Sequence, residues 1–419
     1  MAIKKIRVRN FKSFKDLEVE LGNLNILIGA NASGKSNFVE IFRFLRDIIS
    51  SGLENAISMQ GGVEYLRNVN IGPSEVFSLE FVSDQALRSR SSLGLGMDSY
   101  ETIYKFAIAF NESDLGFEVV EDKLTHRWKF IKLAKQKKGI KEVEIGLGGI
   151  IISNVDGKVD IDDLILPKEV QMERDDIILN IFPRSFIPEK LPDGTLLLAA
   201  SLPLRLTRPL LDNGISVYDF DPNYPKRYAP ITGKAELEDN GSNLAIVLKN
   251  MIRNEDAKRK FLNMVTYLLP FADDLDVERS VDKSLLFKLR ETYSEQFLPA
   301  SLISDGTINM IALIIALYFE RKPLVIIEEP ERNIHPHLIS KVVRMMEDAS
   351  HNKQIIVTTH NPEMVKHADP RNILLVSRDE DGFSSISRLS EISDKERIRV
   401  FLENDIGIEE LYVDNLLGI

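Results

Sequence analysis

The stretch Gly29-Ala30-Asn31-Ala32-Ser33-Gly34-Lys35-Ser36 fits the pattern G-x-x-x-x-G-K-[ST]. Leu24-Asn25-Ile26-Leu27-Ile28 precedes it, a short apolar run that predicts a buried strand, and Asn37-Phe38-Val39-Glu40-Ile41-Phe42-Arg43-Phe44-Leu45 follows it with helical periodicity. Strand, glycine-bearing turn and helix in that order give the pattern a mechanism. The glycines let backbone N–H groups approach phosphates, Lys35 reaches the β- and γ-phosphates, and the Ser36 hydroxyl can ligate Mg²⁺ at the positive end of the helix. The implied ligand is ATP or GTP. Gly29, Asn31, Ser33, Gly34, Lys35, Ser36 and Asn37 are the nucleotide-binding candidates.

Around this loop the chain has 419 residues, enough for two to three domains or for one with a large insertion. Its 44% hydrophobic and 28% charged residues are those of an ordinary soluble globular protein. With no cysteine, disulfides, thiolate metal sites and cysteine nucleophiles are excluded, which fits a reducing cytoplasm. No stretch has the apolar length of a bilayer span, and Met1 to Arg7 enters a strand pattern instead of a signal-peptide core. The expected location is therefore the cytoplasm, with no membrane contact.

A net charge of −11 argues against a protein that coats nucleic acid over its whole surface. Positive charge gathers at Lys4, Lys5, Arg7, Arg9, Lys12 and Lys15, and again at Lys123, Arg127, Lys129, Lys132, Lys135, Lys137, Lys138 and Lys141. Either cluster reads first as a solvated face; the second is the better candidate for DNA phosphates.

Alternation predicts strands over 6–9 and 17–21, then an antiparallel meander over 76–82, 102–110, 116–120 and 128–131, with residues 88–98 as a loop inside it. From about Gly146 to Phe220 the periodicity weakens and prolines cluster. Helices are predicted from Ser242 and over 257–269. The last third alternates: an apolar helix over 310–319, a buried strand over 324–327, an amphipathic helix over 337–349, and strands over 354–359 and 372–376, a βαβ pattern that implies a parallel sheet. No repeat and no sustained heptad is found, so no coiled-coil arm is expected.

A nucleoside triphosphatase needs an acid at the end of a buried strand to hold the Mg²⁺ water shell, and often a second to polarise the attacking water. Leu324-Val325-Ile326-Ile327-Glu328-Glu329 supplies both, Glu328 on the metal side and Glu329 as the base. Lys35 and Glu328 stand nearly a whole chain apart, which means a fold split by an insertion.

Here the chain resembles the ABC-type ATPase heads of the RecF, structural-maintenance-of-chromosomes (SMC) and overcoming-lysogenization-defect (OLD) families, grouped with AAA-type ATPases. Leu302-Ile303-Ser304-Asp305-Gly306-Thr307 stands where those families place their signature, one helix before the acidic strand, with Asp305 in place of the usual first glycine. Glu329-Pro330-Glu331-Arg332-Asn333-Ile334-His335-Pro336 is similar to the stretch that follows the acidic strand in OLD ATPases. In Thr358-Thr359-His360-Asn361-Pro362, His360 falls at the switch histidine, and Arg9-Asn10-Phe11-Lys12-Ser13-Phe14 looks like the opening of these heads. The metal-side acid is Glu328 where aspartate is usual, and Gln60 is the counterpart of the glutamine expected after the first helix to face the metal. Asp193-Gly194-Thr195 imitates the signature without its serine.

The resemblance implies an α/β P-loop fold with a split head, a mixed sheet plus an antiparallel meander, and an inserted, partly helical lobe. It divides the chain into 1–145 (N-terminal ATPase lobe), 146–300 (insert), 301–385 (C-terminal ATPase lobe) and a tail, 386–419. It implies ATP and Mg²⁺ as ligands, and a homodimer or higher oligomer in which Ser304, Asp305 and Gly306 of one copy cap ATP on the other. Hydrolysis would open that dimer. The expected setting is a DNA-associated process, a prokaryotic defence or toxin system with a separate effector chain; the alternatives are a RecF-like repair clamp or a nucleotide-dependent scaffold for partner proteins. Residues 361–419 are too few for the Toprim nuclease domain of OLD nucleases, and Ile406 to Val413 reads as a packing or docking tail.

Overall fold

The computed structural model describes residues 2–84, 88–90, 94–111, 116–136, 139–170, 189–192, 194–199 and 214–389. The chain forms two compact units, one of Met1–Gly22, Asn37–Ile215 and Arg378–Ile386, the other of Asn23–Ser36, Ser216–Ser377 and Ser387–Ile419.

Strands β1 (Ala2–Phe11) and β2 (Phe14–Glu20) pair antiparallel in the first unit, with Phe11 opposite Phe14. The chain then supplies β3 (Leu24–Ile28) to the second unit and passes through the glycine-bearing loop into α1 (Lys35–Ser51). Two short helices, α2 (Leu53–Met59) and α3 (Val63–Leu66), lead to β4 (Phe77–Asp84), β5 (Arg88–Arg90), β6 (Leu95–Phe110), β7 (Phe117–Gln136), β8 (Gly139–Val155) and β9 (Lys158–Ile165). They form one antiparallel sheet in the order β2-β1-β4-β6-β7-β8-β9, with β5 beside β6. Its inner face is legible in β4, where Phe77, Leu79 and Phe81 are buried and alternate with half-exposed residues. Phe44 of α1 packs among Phe11, Phe77 and Phe106, with ring centroids 5.6–6.4 Å apart around that cluster.

Three expectations change in this sheet. The strands read over 116–120 and 128–131 are one, β7, because the polar residues between them do not turn the chain. Asp122 is buried and accepts from the Tyr104 hydroxyl (2.8 Å), and buried His126 meets the Thr102 hydroxyl through Nδ1 (2.6 Å), so the inward alternation continues through polar side chains. Residues 88–90 of the expected loop are a strand, with Arg90 paired to Asp98 and Glu142. The boundary drawn between 145 and 146 falls inside β8, and the sheet runs on to Ile165. Glycines hide that strand in the sequence: a Cβ at Gly149 would lie 2.6 Å from the His126 carbonyl, and one at Gly148 2.4 Å from that of Ile165.

The second unit continues through β10 (Ile215–Tyr218), β11 (Ala229–Pro230), α4 (Leu244–Ile252), α5 (Glu255–Leu268), β12 (Ala272–Arg279), β13 (Ser284–Glu291) and β14 (Phe297–Pro299). Then come α6 (Asp305–Ile314), β15 (Leu324–Glu328), α7 (Pro336–Ser350), β16 (Gln354–Thr359), α8 (Pro362–His367) and β17 (Ile373–Arg378), followed by β18 (Ser384–Arg388), of which Ser384–Ile386 count with the first unit. The main sheet has the order β10-β15-β16-β3-β17-β18, and β15, β16, β3 and β17 are parallel. Their largely apolar sequences follow from burial on both faces. Among the core residues on this sheet are Ile26, Val325 and Val357, with Ile311 of α6 and Met346 of α7.

The expected partly helical insert also holds a second antiparallel sheet, β11-β13-β12 with β14 beside β13. It escapes sequence reading because β12, Ala-Asp-Asp-Leu-Asp-Val-Glu-Arg, buries only Ala272 and Leu275. The helix read over 310–319 begins earlier, at Asp305, and its last turn, Ile315–Phe319, widens to π-helical.

Candidate active site

The phosphate-loop candidates from Gly29 to Ser36 lie in the second unit at the C-terminal end of β3. Gly29 has no room for a side chain, since a Cβ would stand 2.2 Å from the Val376 carbonyl. Ala32 (φ +64°) and Gly34 (φ +116°) turn the backbone through left-handed conformations, the geometry that points successive N–H groups inward. Asn31 and Ser36 are exposed, while Ser33 is buried. The Lys35 ammonium donates to the carbonyls of Gly29 (2.7 Å) and Ala30 (2.9 Å). Burial lowers its pKa, and the charge of Glu329 works in the other direction. The first turn of α1 carries no acid, so nothing there opposes an anion at the helix N-terminus.

Glu328 ends β15 with its neighbour Thr358 on β16, and the Glu329 N–H donates to the Thr358 carbonyl (2.9 Å). Glu329 itself is left-handed (φ +45°), uncommon for a residue with a long side chain. Its carboxylate meets His360 Nδ1 through Oε1 (2.8 Å) and accepts from Arg332 Nε (3.2 Å) and Nη2 (3.1 Å) through Oε2. Burial pushes the Glu329 carboxyl up, but hydrogen bonds from Arg332 and His360 outweigh it and hold the group below the usual glutamate range. Arg332 is fixed in turn by Asp219 (2.8 Å) and the Phe220 carbonyl (3.3 Å). The base candidate is thus ionised, oriented from two sides, and close enough to Lys35 for the two charges to feel each other.

Buried Glu331 accepts from the Thr359 hydroxyl, and that oxygen takes the Asn361 N–H (2.9 Å). Asn361 then caps α8 through the Glu363 N–H (3.0 Å). The turn after β15 and the end of β16 are tied on either side of His360.

Ser304 is the N-cap of α6, its Oγ accepting from the Thr307 N–H (3.3 Å), and Asp305 is ion-paired with Lys226. Gly306 packs on the loop after the acids: a Cβ there would lie 2.3 Å from the Asn333 carbonyl. Asn309 donates to the Arg332 carbonyl (2.8 Å), so the signature turn leans on the segment that holds Glu329.

Two candidates have other partners, both in the first unit. Asn37 donates to the Ser13 hydroxyl (2.8 Å), and Gln60, buried at the end of α2, donates to Glu40 (2.9 Å). Sequence reading missed the roles of Glu331 and Arg332, which stand in the motif it quoted, and of Asp219 and Lys226, which carry no local signal.

Several cations of the two basic clusters are paired with acids within the sheet of the first unit. Lys123 pairs with Asp162 (3.5 Å), Arg127 with Glu101 (2.7 Å) and Lys129 with Glu144 (3.4 Å); at the start of the chain Lys4 pairs with Asp84 (2.9 Å), Arg7 with Glu80 (2.8 Å) and Arg9 with Asp16 (3.2 Å). The side chains of Lys135, Lys137 and Lys138, the decoy's Asp193 and the tail at 406–413 lie outside the described residues. Among those described, no helix is long and apolar enough to cross a membrane.

Comparison with known proteins agrees with this geometry. Residues 1–145 match the family model "AAA ATPase domain", and residues 167–366 match "AAA domain, putative AbiEii toxin, Type IV TA system". A solved SMC head, crystallised bound to the C-winged helix domain of ScpA, superposes with a TM-score of 0.50 at 16% identity, covering 94% of this chain and 100% of that one. The chain belongs with the AAA-type ATPase domains, and its fold is that of an SMC head. The DNA replication and repair protein RecF of Lactococcus lactis subsp. cremoris (strain MG1363) is 44% identical to this ATPase head over 46 residues, 11% of this chain and 13% of RecF. The match thus spans a small part of that relative's length. The SMC head of Thermotoga maritima aligns over 93% of this chain and 99% of its own at 13% identity, with a TM-score of 0.41. Membership of this group implies that the head binds ATP and accounts for its split α/β architecture.

Proposed function

We propose that this ATPase head is an ATP-gated dimeric switch that closes on ATP and opens on its hydrolysis. The observation that carries the reading is the Glu329 carboxylate, held by Arg332 and His360 at the C-terminal ends of two adjacent parallel strands. A general base must be ionised and fixed within reach of a water, and Glu329 is both. In this reading Gly29 to Ser36, with Asn37, receive the triphosphate, and phosphate oxygens compete with the two loop carbonyls for Lys35. Glu329 takes the proton from the attacking water as it adds to the γ-phosphorus, ADP leaves with the electrons of the broken P–O bond, and His360 reports the change at the γ-phosphate. Ser304, Asp305 and Gly306 of a second copy cap the nucleotide.

The donor set fits Mg²⁺ that arrives with its nucleotide. The Ser36 hydroxyl and the Glu328 carboxylate are hard oxygen donors, the kind Mg²⁺ takes beside nucleotide phosphates. Ser36 and Glu328 would hold the ion, and the ion would neutralise phosphate charge; the Gln60 amide is engaged by Glu40 within the first unit.

The first setting we propose is a DNA-associated defence or toxin system with a separate effector, in keeping with the toxin–antitoxin wording of the matched family and the small RecF match. The pairing of Lys123, Arg127 and Lys129 with acids favours a second reading, a nucleotide-dependent scaffold for partner proteins, because paired cations release fewer counterions to DNA. The matched SMC head was itself crystallised with a protein partner.

The test is ATP turnover and mass in solution for wild type and Glu329→Gln, with and without duplex DNA at two salt concentrations. The variant binds ATP, loses turnover and accumulates as a dimer or larger assembly. Equal turnover in both proteins removes Glu329 as the base; a mass and turnover indifferent to DNA moves the scaffold reading ahead.

A further inference from the structure

The signature turn carries a charge where the usual first glycine would stand, a departure familiar in the RecF-like branch. Asp305 puts a carboxylate between Ser304 and Gly306, in the turn that the proposed dimer would offer to the triphosphate of a second copy. Two like charges brought together repel, and the repulsion grows as water is expelled from the closing interface. Asp305 is not alone: the Lys226 ammonium pairs with it, with 26% of the lysine side chain and 44% of the aspartate side chain exposed. Lys226 arrives from a distant part of the chain on a tight turn, in which Tyr224 N–H donates to the Asp221 carbonyl (3.1 Å) and Arg227 N–H to the Tyr224 carbonyl (3.0 Å).

A carboxylate in the first turn of a helix is favoured by the macrodipole, and an exposed ion pair adds little to stability, so folding alone does not call for Lys226. Its position answers a different need. We propose that Lys226 is a positioning residue of the signature, a built-in counter-ion that cancels Asp305 and so lets the Ser304–Gly306 turn accept a polyanion. The inference rests on the dimeric switch described above. When a triphosphate approaches, the ammonium can stay on Asp305 or share itself with a phosphate oxygen; in either case the approaching anion meets a neutral turn. Removing the lysine leaves the carboxylate facing the phosphates. Removing both charges restores neutrality, with the asparagine amide adding donors where the carboxylate had none.

The test uses the full chain in the Glu329→Gln background, so that hydrolysis does not drain the assembly. ATP-Mg-driven association is measured by sedimentation, and ATP binding to the monomer by a fluorescent analogue at protein concentrations below association. Lys226→Met weakens association by about 10- to 100-fold and leaves monomer binding unchanged. Lys226→Arg stays within about threefold of the parent, and Lys226→Met combined with Asp305→Asn returns to the parent value. A merely structural lysine would not be rescued by neutralising its partner. If Lys226→Met associates as tightly as the parent, or if the double variant stays as weak as the single one, the inference is wrong while the dimer stands. If the parent does not associate with ATP at all, the dimeric reading fails and takes this inference with it.

Discussion

Replacing Gly306 with alanine tests whether the signature turn and the segment that holds Glu329 are one mechanical piece. The added Cβ would sit 2.3 Å from the Asn333 carbonyl oxygen and 3.4 Å from its carbon. Both groups are backbone, so no rotamer change relieves the contact. One segment must move by about 0.7 Å for the atoms even to reach the closest separation tolerated in folded proteins, an overpacking that typically costs about 1–3 kcal/mol. Against this, exchanging glycine for alanine in a helix gains up to about 1 kcal/mol, and less in a first turn. The clash wins, and a net loss of about 1–2 kcal/mol is expected. Asn333 follows Arg332, whose carbonyl is held by Asn309 and whose guanidinium holds Glu329, so the displacement should also disturb the base. Urea unfolding and ATP turnover are measured beside Gly233→Ala, where the new methyl meets only the tip of the Ile246 side chain at 3.2 Å. The control should change stability by less than about 0.5 kcal/mol. If Gly306→Ala is as stable and as active as that control, the signature turn does not press on the Asn333 loop and the coupling argued here is absent.

Glu331→Ala, which removes the acceptor of the Thr359 hydroxyl, should lower turnover about 10- to 100-fold with ATP affinity unchanged, while Glu331→Gln keeps an acceptor and stays within about threefold; steady-state kinetics of both decide this. Lys35→Ala should weaken ATP binding at least about 100-fold with little effect on the thermal transition, because its ammonium meets only two loop carbonyls; a fluorescent nucleotide titration and a melting curve check both halves. Burial drives the pKa of His126 down to about 3, below that of an unfolded histidine, so the unfolded chain binds the proton first as pH falls. Stability from this group is therefore complete above about pH 6.5 and is lost as pH drops toward 3, with about 2 kcal/mol gone at pH 5. His126→Gln should remove that component from the difference between urea midpoints at pH 7 and pH 5.

The nucleotide loop was legible because its chemistry is local: strand, glycine turn, lysine and helix occupy consecutive residues and need no partner to be read. The parallel strands were legible for a related reason, as burial on both faces writes apolar runs into 26–28, 324–327 and 355–357. Where burial is shared with polar groups the signal fails. Asp122 and His126 broke a single strand into two apparent ones, and Gly146, Gly148 and Gly149 erased another, since the space a side chain would take at each is filled by neighbouring backbone or rings. The acids Glu101, Glu144 and Asp162 lie within about 40 residues of the lysines and arginine they neutralise, but only the strand register shows that they face them, so the basic cluster looked more open than it is. Asp219 and Lys226 had no pattern at all; each matters only through a residue roughly 80 to 113 positions away.

The strand that carries the phosphate loop has one further consequence, for the history of each molecule. β3 lies between β16 and β17, and the Asn25 amide reaches the Ile355 carbonyl (3.4 Å) across 330 positions of sequence. At ordinary translation speeds of about 5–20 residues per second, β3 leaves the ribosome roughly 15 to 65 s before its neighbours exist. During that interval an apolar strand end waits without a sheet, a natural client for a holdase and a point at which a stalled chain can aggregate. The same delay makes the nucleotide a receipt for complete synthesis: a chain truncated before β16 would carry every residue of the phosphate loop and still lack the sheet that shapes it.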